Sequence, residues 1–182
     1  MNNYISHAIY YKLQMSLEII IGSMYSGKST ELMRKVNRWT SIGMKCLVIN
    51  HTNDKRPGVQ THDGHRLTAI KTNELLLEST GPYDAVAIDE AQFFTNLDVA
   101  VKLMVQHNKH VVVAGLNGDY KRQKFGEILD LIPYADNVVF KRALCHLCAH
   151  PCKNASFTKR ITKEAEVVSV DSTHIAVCRH CY

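Results

Sequence analysis

The sequence predicts an α/β fold: a parallel sheet flanked by helices, followed by a small C-terminal unit of different texture. Three observations predict it. Short apolar, β-branched runs alternate with helix-period segments as far as about residue 140. A glycine-bearing loop of fixed spacing joins the first apolar run to the first helix. From Cys145 onward the alternation stops, and Cys and His become frequent.

The elements follow in chain order. Residues 1–16 show no period and are expected to form a disordered extension. Residues 17–21 (LEIII) read as a strand buried on both faces and ending at Gly22. Residues 28–40 read as a helix, with Leu32, Val36 and Trp39 on one face. Residues 46–49 form a second buried strand; residues 50–63 are polar, contain Pro57 and Gly58, and read as a loop. A short helix is expected over 73–79, stopped by Gly81 and Pro82, and a third strand over 85–88. Asp89 and Glu90 stand at that strand's C-terminal end. Asn96 is expected to cap a helix through about Gln106, and 111–114 is a fourth strand. Residues 115–124 form a polar loop, 125–132 a helix ending at Pro133, and 138–140 a fifth strand. The domain boundary falls near Ala143, giving units 17–143 and 144–182.

Bulk properties bound the function. The 182 residues are 46% hydrophobic and 21% charged, enough for a core without disulfides. A formal charge of +5 suits phosphate-bearing ligands without implying nucleic acid. No apolar run reaches membrane-spanning length, and the first residues resemble neither a secretory nor a transit signal. The cysteines are then expected to be thiols or metal ligands.

Gly22, Ser23, Met24, Tyr25, Ser26, Gly27, Lys28 and Ser29 fit G-x-x-x-x-G-K-[ST]. Such spacing also arises by chance in turns. Here it follows a strand and opens a helix, so backbone N–H groups and the helix N-terminus, with Thr30 beside them, face phosphate oxygens. Lys28 neutralises β/γ charge and the Ser29 hydroxyl ligates Mg²⁺. The fold is therefore of the P-loop NTPase type. An acid at the end of a neighbouring strand holds Mg²⁺ in such proteins, a role that fits Asp89. Adjacent strand residues point to opposite faces, so Glu90 is expected to act differently, as a general base.

Cys145-x-x-Cys148 and Cys178-x-x-Cys181 form two knuckles, the spacing of a closed structural zinc site in a zinc-ribbon-like unit. Cys152 is a spare thiol or rival ligand; Cys46 reads as core. A redox pair is the alternative, but paired knuckles disfavour it.

Taken together, these residues resemble the thymidine kinases of the cellular and poxvirus type, a P-loop family with a C-terminal zinc domain. The resemblance runs from about Leu17 to Tyr182. It is carried by residues 22–33 (GSMYSGKSTELM), 45–49, Thr61-His62-Asp63, 88–94 (IDEAQFF), 116–126 (LNGDYKRQKFG), Thr158-Lys159-Arg160 and 178–182. It implies transfer of the γ-phosphate of ATP to the 5′-hydroxyl of thymidine, with Glu90 as catalytic base. Asp54 and Arg56 match a loop that approaches the phosphates. Met24, Phe93, Leu116, Tyr120 and Phe125 match residues enclosing the nucleoside. From residues alone, the aromatics would read as core. Thr158, Val167, Val168, Ser169 and Val170 match a lasso loop that closes over the thymine. The resemblance further implies a homotetramer, dTTP as feedback inhibitor, no nucleic-acid or membrane partner, and a cytoplasmic location (the host's cytoplasm for a virus). Three departures stand out. His174 replaces a usual Tyr at the substrate, Asn117 a common Asp, and the stretch 149–155 is longer and brings Cys152.

Three rival readings stand beside it. Asp89-Glu90-Ala91-Gln92 has the look of a helicase box, but the chain has room for one such domain, not two. A nucleic-acid-binding zinc ribbon would need a basic stripe with stacking aromatics. A regulatory nucleotide sensor would not need the carboxylate pair. Within the kinase reading, deoxyuridine lacks only a methyl of thymidine.

Overall fold

The computed structural model describes residues 15–60, 64–148, 153–162 and 173–182. Its centre is a sheet of six strands: β1 (Ser16–Gly22), β2 (Cys46–His51), β5 (Ile70–Thr72), β6 (Ala85–Asp89), β7 (His110–Leu116) and β8 (Asn137–Lys141). Their spatial order is β5-β2-β6-β7-β1-β8, and every adjacent pair is parallel. A hairpin of β3 (Val59–Gln60) and β4 (Arg66–Leu67) lies outside it.

The near-continuous apolar runs are explained by burial on both faces. Leu17, Ile19, Val86, Ile88, Val111 and Val113 pack on one side against α2 (Leu97–Gln106) and Phe94. Ile20, Val48, Ala87, Val112 and Ala114 pack on the other against Leu32, Met33 and Val36 of α1 (Lys28–Ser41). The split follows the two-residue period of a strand. Each fully buried aliphatic side chain contributes roughly 1.5–3 kcal/mol. The end of α1 is set by Gly43, which takes φ 84° while its N–H donates to Thr40 O.

After the sheet come two small antiparallel ladders. β9 (Ala143–Leu144) pairs with β10 (Asn154–Ala155), and β11 (Phe157–Arg160) with β12 (His174–Val177). Their core is Ala143, Cys145, Ala155, Ala176, Val177 and Cys178.

The α/β class, the parallel sheet and all five expected strands are present. Several local expectations are corrected. Ser16 already belongs to β1, so it is not part of an extension; residues 1–14 lie outside the described residues. β5 was missed because its polar, half-exposed IKT carries no buried-strand pattern. The segment read as a loop contains β3. The helix expected over 73–79 is only a 3₁₀ turn, Leu77–Thr80. The one expected over 125–132 is a 3₁₀ helix, Ile128–Tyr134, that includes Pro133. There, buried Ile128 and Leu131 are three residues apart, matching a three-residue turn. Asn96 does not cap α2 with its side chain. Its amide bonds Leu75 instead, donating to the carbonyl at 2.9 Å.

Leu131 is fully buried between this turn and the sheet. Leu131→Ala is expected to cost about 2–5 kcal/mol, read as a lower urea midpoint with unchanged slope.

Candidate active site

The C-terminal ends of β1, β6 and β7 open onto one crevice, the place where open α/β sheets bind ligands. β1 ends at Gly22, and residues 23–27 loop round to α1. Gly27 enters the helix at φ 79° and Tyr25 sits at φ 62°. Gly22 has no space for a side chain: a Cβ would lie 2.2 Å from Lys141 O. Ser23 is buried and its hydroxyl donates to Ala155 O at 2.9 Å. Met24 N donates to Thr158 Oγ1 at 3.1 Å. Ser26 Oγ is buried with no hydrogen-bond partner among the described residues, an atom that a ligand in the loop would satisfy.

Lys28 Nζ donates to Ser23 O at 2.8 Å. Burial holds its pKa below the usual lysine range, although Glu90 and Asp89 pull it back up. Ser29 Oγ donates to Asp89 Oδ2 at 2.8 Å, joining α1 to the end of β6. Burial, and then the charge of Glu90, push Asp89 up to about 7, against the pull of Ser29 and Lys28.

Glu90 corrects the alternation argument. The strand ends at Asp89, and Glu90 takes φ 51° and ψ 39°, a left-handed residue rather than the next strand position. Its carboxylate lines the same crevice as Lys28 and Ser29. Oε1 accepts from Arg56 Nη2 at 3.2 Å and Oε2 from Gln92 Nε2 at 2.7 Å.

Arg56 is held from behind by buried Asp54, whose two oxygens accept from Nε at 2.8 Å and Nη2 at 3.0 Å. Burial alone would raise the Asp54 pKa, but bonds from Arg56 and Asn50 outweigh it and leave it depressed. The fork is the bidentate pairing that guanidinium favours.

The crevice wall includes Met24, Tyr25, Ser26, Gly27, Lys28, Ser29, Thr30, Arg56, Glu90, Phe93, Leu116, Tyr120, Phe125, Thr158 and His174. The expected residues therefore converge. Gly22, Ser23, Asp54 and Asp89 are not in the wall but support it from behind. Phe93 meets Phe125 edge-on at 5.4 Å, so both are wall rather than interior; Phe94 is the core aromatic. Val167, Val168, Ser169, Val170, Thr61-His62-Asp63 and Cys152 lie outside the described residues.

His174 is buried, its Nε2 accepting from Arg160 Nε at 3.4 Å. Burial first, and then the charge of Arg160, lower its pKa. Sequence reasoning missed Gln60, Gln92 and Asp119, which also line the crevice. For Gln92 the signal lay two residues beyond Glu90. It is buried, and besides its bond to Glu90 it accepts from Leu116 N at 3.0 Å, tying β6 to β7.

Cys145, Cys148, Cys178 and Cys181 place their sulfurs within 4.8 Å of one another. Cys148 Sγ lies 3.7 Å from Cys178 Sγ and 3.5 Å from Cys181 Sγ. A zinc tetrahedron with bonds of ~2.3 Å has edges of about 3.8 Å, so the four thiols fit that ion. Cys178 N donates to Cys145 Sγ at 3.2 Å, the outer hydrogen bond typical of a thiolate ligand.

The family described as thymidine kinase matches residues 15–182. The chain is 39% identical over 172 residues to the thymidine kinase of raccoon poxvirus, covering 91% of this chain and 96% of that protein. The thymidine kinase of vaccinia virus (strain Western Reserve) gives the same identity and coverage. That of monkeypox virus is 38% identical over the same length.

In protein free of metal and nucleotide, the raised Asp89 pKa makes the native state hold a proton that the unfolded chain releases. Its stabilising contribution is full below about 4 and is lost as pH rises through about 7. Asp89→Asn is therefore expected to gain on the order of 2 kcal/mol over the parent at pH 8 and little at pH 4. Urea unfolding at the two pH values measures the difference; equal gains at both would contradict it.

Proposed function

The chain belongs to the thymidine kinase family, and from that premise we propose how its site works. The activity is that of an ATP-dependent phosphotransferase acting on thymidine. The observation that carries the residue assignments is the Ser29–Asp89 hydrogen bond with Glu90 beside it at the mouth of the phosphate loop.

The loop 22–29, with Thr30, holds the triphosphate, its N–H groups and Lys28 facing the phosphate oxygens. Lys28, now turned onto Ser23 O, moves onto the phosphates when they arrive. Ser29 and Asp89 are the residues that would hold Mg²⁺, which when bound offsets phosphate charge. Thymidine lies between Phe93, Phe125, Leu116, Tyr120, Met24, Thr158 and His174. Val167, Val168, Ser169 and Val170 are the residues assigned to contact with the base. Glu90, oriented by Gln92, accepts the proton of the 5′-hydroxyl. The 5′-oxygen attacks the γ-phosphorus in line, the bond to the β–γ bridging oxygen breaks, and ADP leaves. Arg56, steadied by Asp54, supplies positive charge to the transferring group.

The four cysteines hold a structural zinc that ties the pair Cys145 and Cys148 to the pair Cys178 and Cys181. The chain divides at residue 143 into a sheet domain and a zinc-bearing domain. dTTP is the feedback inhibitor, because it joins the nucleoside and phosphate parts of both substrates. A homotetramer is supported by the half-exposed Val138 and Phe140 of edge strand β8, beside exposed Ile132 and Tyr134. No helix among the described residues is long and apolar enough to cross a membrane, and the proposed location is the cytoplasm. Nucleic-acid binding is disfavoured because the aromatics of the zinc unit already carry cations. Arg122 lies 4.0 Å from the Tyr182 ring centre and Arg179 lies 5.0 Å from that of Phe157.

Glu90→Gln is expected to lower turnover by about 10²–10⁴ while retaining ATP binding; near-normal turnover would remove Glu90 from this role. With Mg·ATP and a panel of thymidine, deoxyuridine, deoxycytidine and deoxyguanosine, thymidine should give the highest kcat/KM. Deoxyuridine should follow within about 10–200-fold, the worth of one methyl.

A further inference from the structure

We propose that the cysteine cluster and the phosphate loop are linked sites: metal on the cysteines tightens the loop on nucleotide phosphates, and phosphates on the loop tighten the metal. The proposal rests on the assignments of loop and cysteines made above and extends them.

Three contacts join the two sites, and each reaches a different part of the zinc unit. Ser23 Oγ donates to Ala155 O at 2.9 Å. Met24 N donates to Thr158 Oγ1 at 3.1 Å. The Tyr25 ring lies 5.1 Å from the ring of His146. Three consecutive loop residues therefore touch side chains or carbonyls of the other unit.

Each partner is also tied closely to a cysteine. Ala155 pairs with Ala143, two residues before Cys145, and Cys145 N donates to Lys153 O at 2.9 Å. Thr158 pairs with Ala176, two residues before Cys178. His146 follows Cys145 directly, and its N–H donates to Ala176 O at 3.0 Å. Among the described residues, the unit's buried core is six small or sulfur-bearing side chains, Ala143, Cys145, Ala155, Ala176, Val177 and Cys178, with Phe157, Ile175 and Tyr182 partly buried against it. So small an apolar core depends on its metal for rigidity. Losing the metal frees the partners, and the loop loses its outer supports. Ser23 and Thr158 are positioning residues in this linkage: they act by fixing where the backbone N–H groups of the loop point.

Linkage is reciprocal, so one factor must appear in both directions. The zinc-loaded chain is first assayed for metal content and for binding of a fluorescent ADP analogue with Mg²⁺. Absence of either overturns the parent reading and this proposal together. Zinc affinity is then measured by competition with a chromogenic chelator, with and without saturating Mg·ADP and no nucleoside. The expected result is at least ~5-fold tighter zinc with Mg·ADP, and an equal loss of ADP-analogue affinity in the zinc-free chain. In Ser23→Ala/Thr158→Val the factor should fall to near one, while Thr158→Ser, which keeps the hydroxyl, should retain it. Urea midpoints identify any variant that fails to fold, and the parent chain alone still decides the matter. Zinc affinity indifferent to Mg·ADP, in a chain shown to bind both, overturns the linkage and leaves the parent reading standing.

Discussion

The crevice is organised by charges withdrawn from water. Asp54, Asp89 and Glu90 face Lys28, Arg56 and Lys71 across the ends of β1, β2 and β6, with Asp54 and Asp89 buried. Removed from water, these groups cannot all be ionised at no cost. Asp54 resolves its share by gripping Arg56, and its pKa falls. Asp89 has the Ser29 hydroxyl, the Glu90 N–H and the charge of Lys28, but burial and the Glu90 carboxylate outweigh them and its pKa rises. Asp89 is thus the carboxylate at which a divalent cation would relieve most. Phosphates would add negative charge that Lys28, now bonded to a neutral carbonyl, can turn to meet.

The sheet brings this about by topology. Parallel strands put their C-terminal ends on one edge. Burial on both faces leaves that edge as the place for polar groups. Gly22 and Leu116 are neighbours in register, as are Asn50 and Asp89. Residues far apart in sequence reach one crevice without any long excursion of the chain. The small ladder of β11 and β12 then contributes Thr158 and His174 to the same crevice.

Much of this was legible in the sequence because it depends on local rules. Buried parallel strands are continuously apolar, the phosphate loop has fixed spacing, and thiol pairs announce a metal. What stayed hidden depends on context. β5 is a strand because β2 offers it an edge, not because IKT favours one. The turn through Pro133 is shaped by Ile128 and Leu131 seeking the core. Gln92 carries no motif; its importance lies in meeting Glu90 and Leu116 together. Strand alternation does not describe Glu90, since a left-handed backbone cannot be read from a carboxylate following an apolar strand.

That left-handed residue has a further consequence. A side chain with a Cβ at φ 51° sits in a conformation that costs about 1–2 kcal/mol and suits Gly or Asn better. The chain tolerates the strain because the turn aims a carboxylate into the crevice. Position 90 is therefore where durability and chemistry pull apart. A population selected only for surviving heat would drift there toward glycine or asparagine, gaining robustness as it lost its reaction.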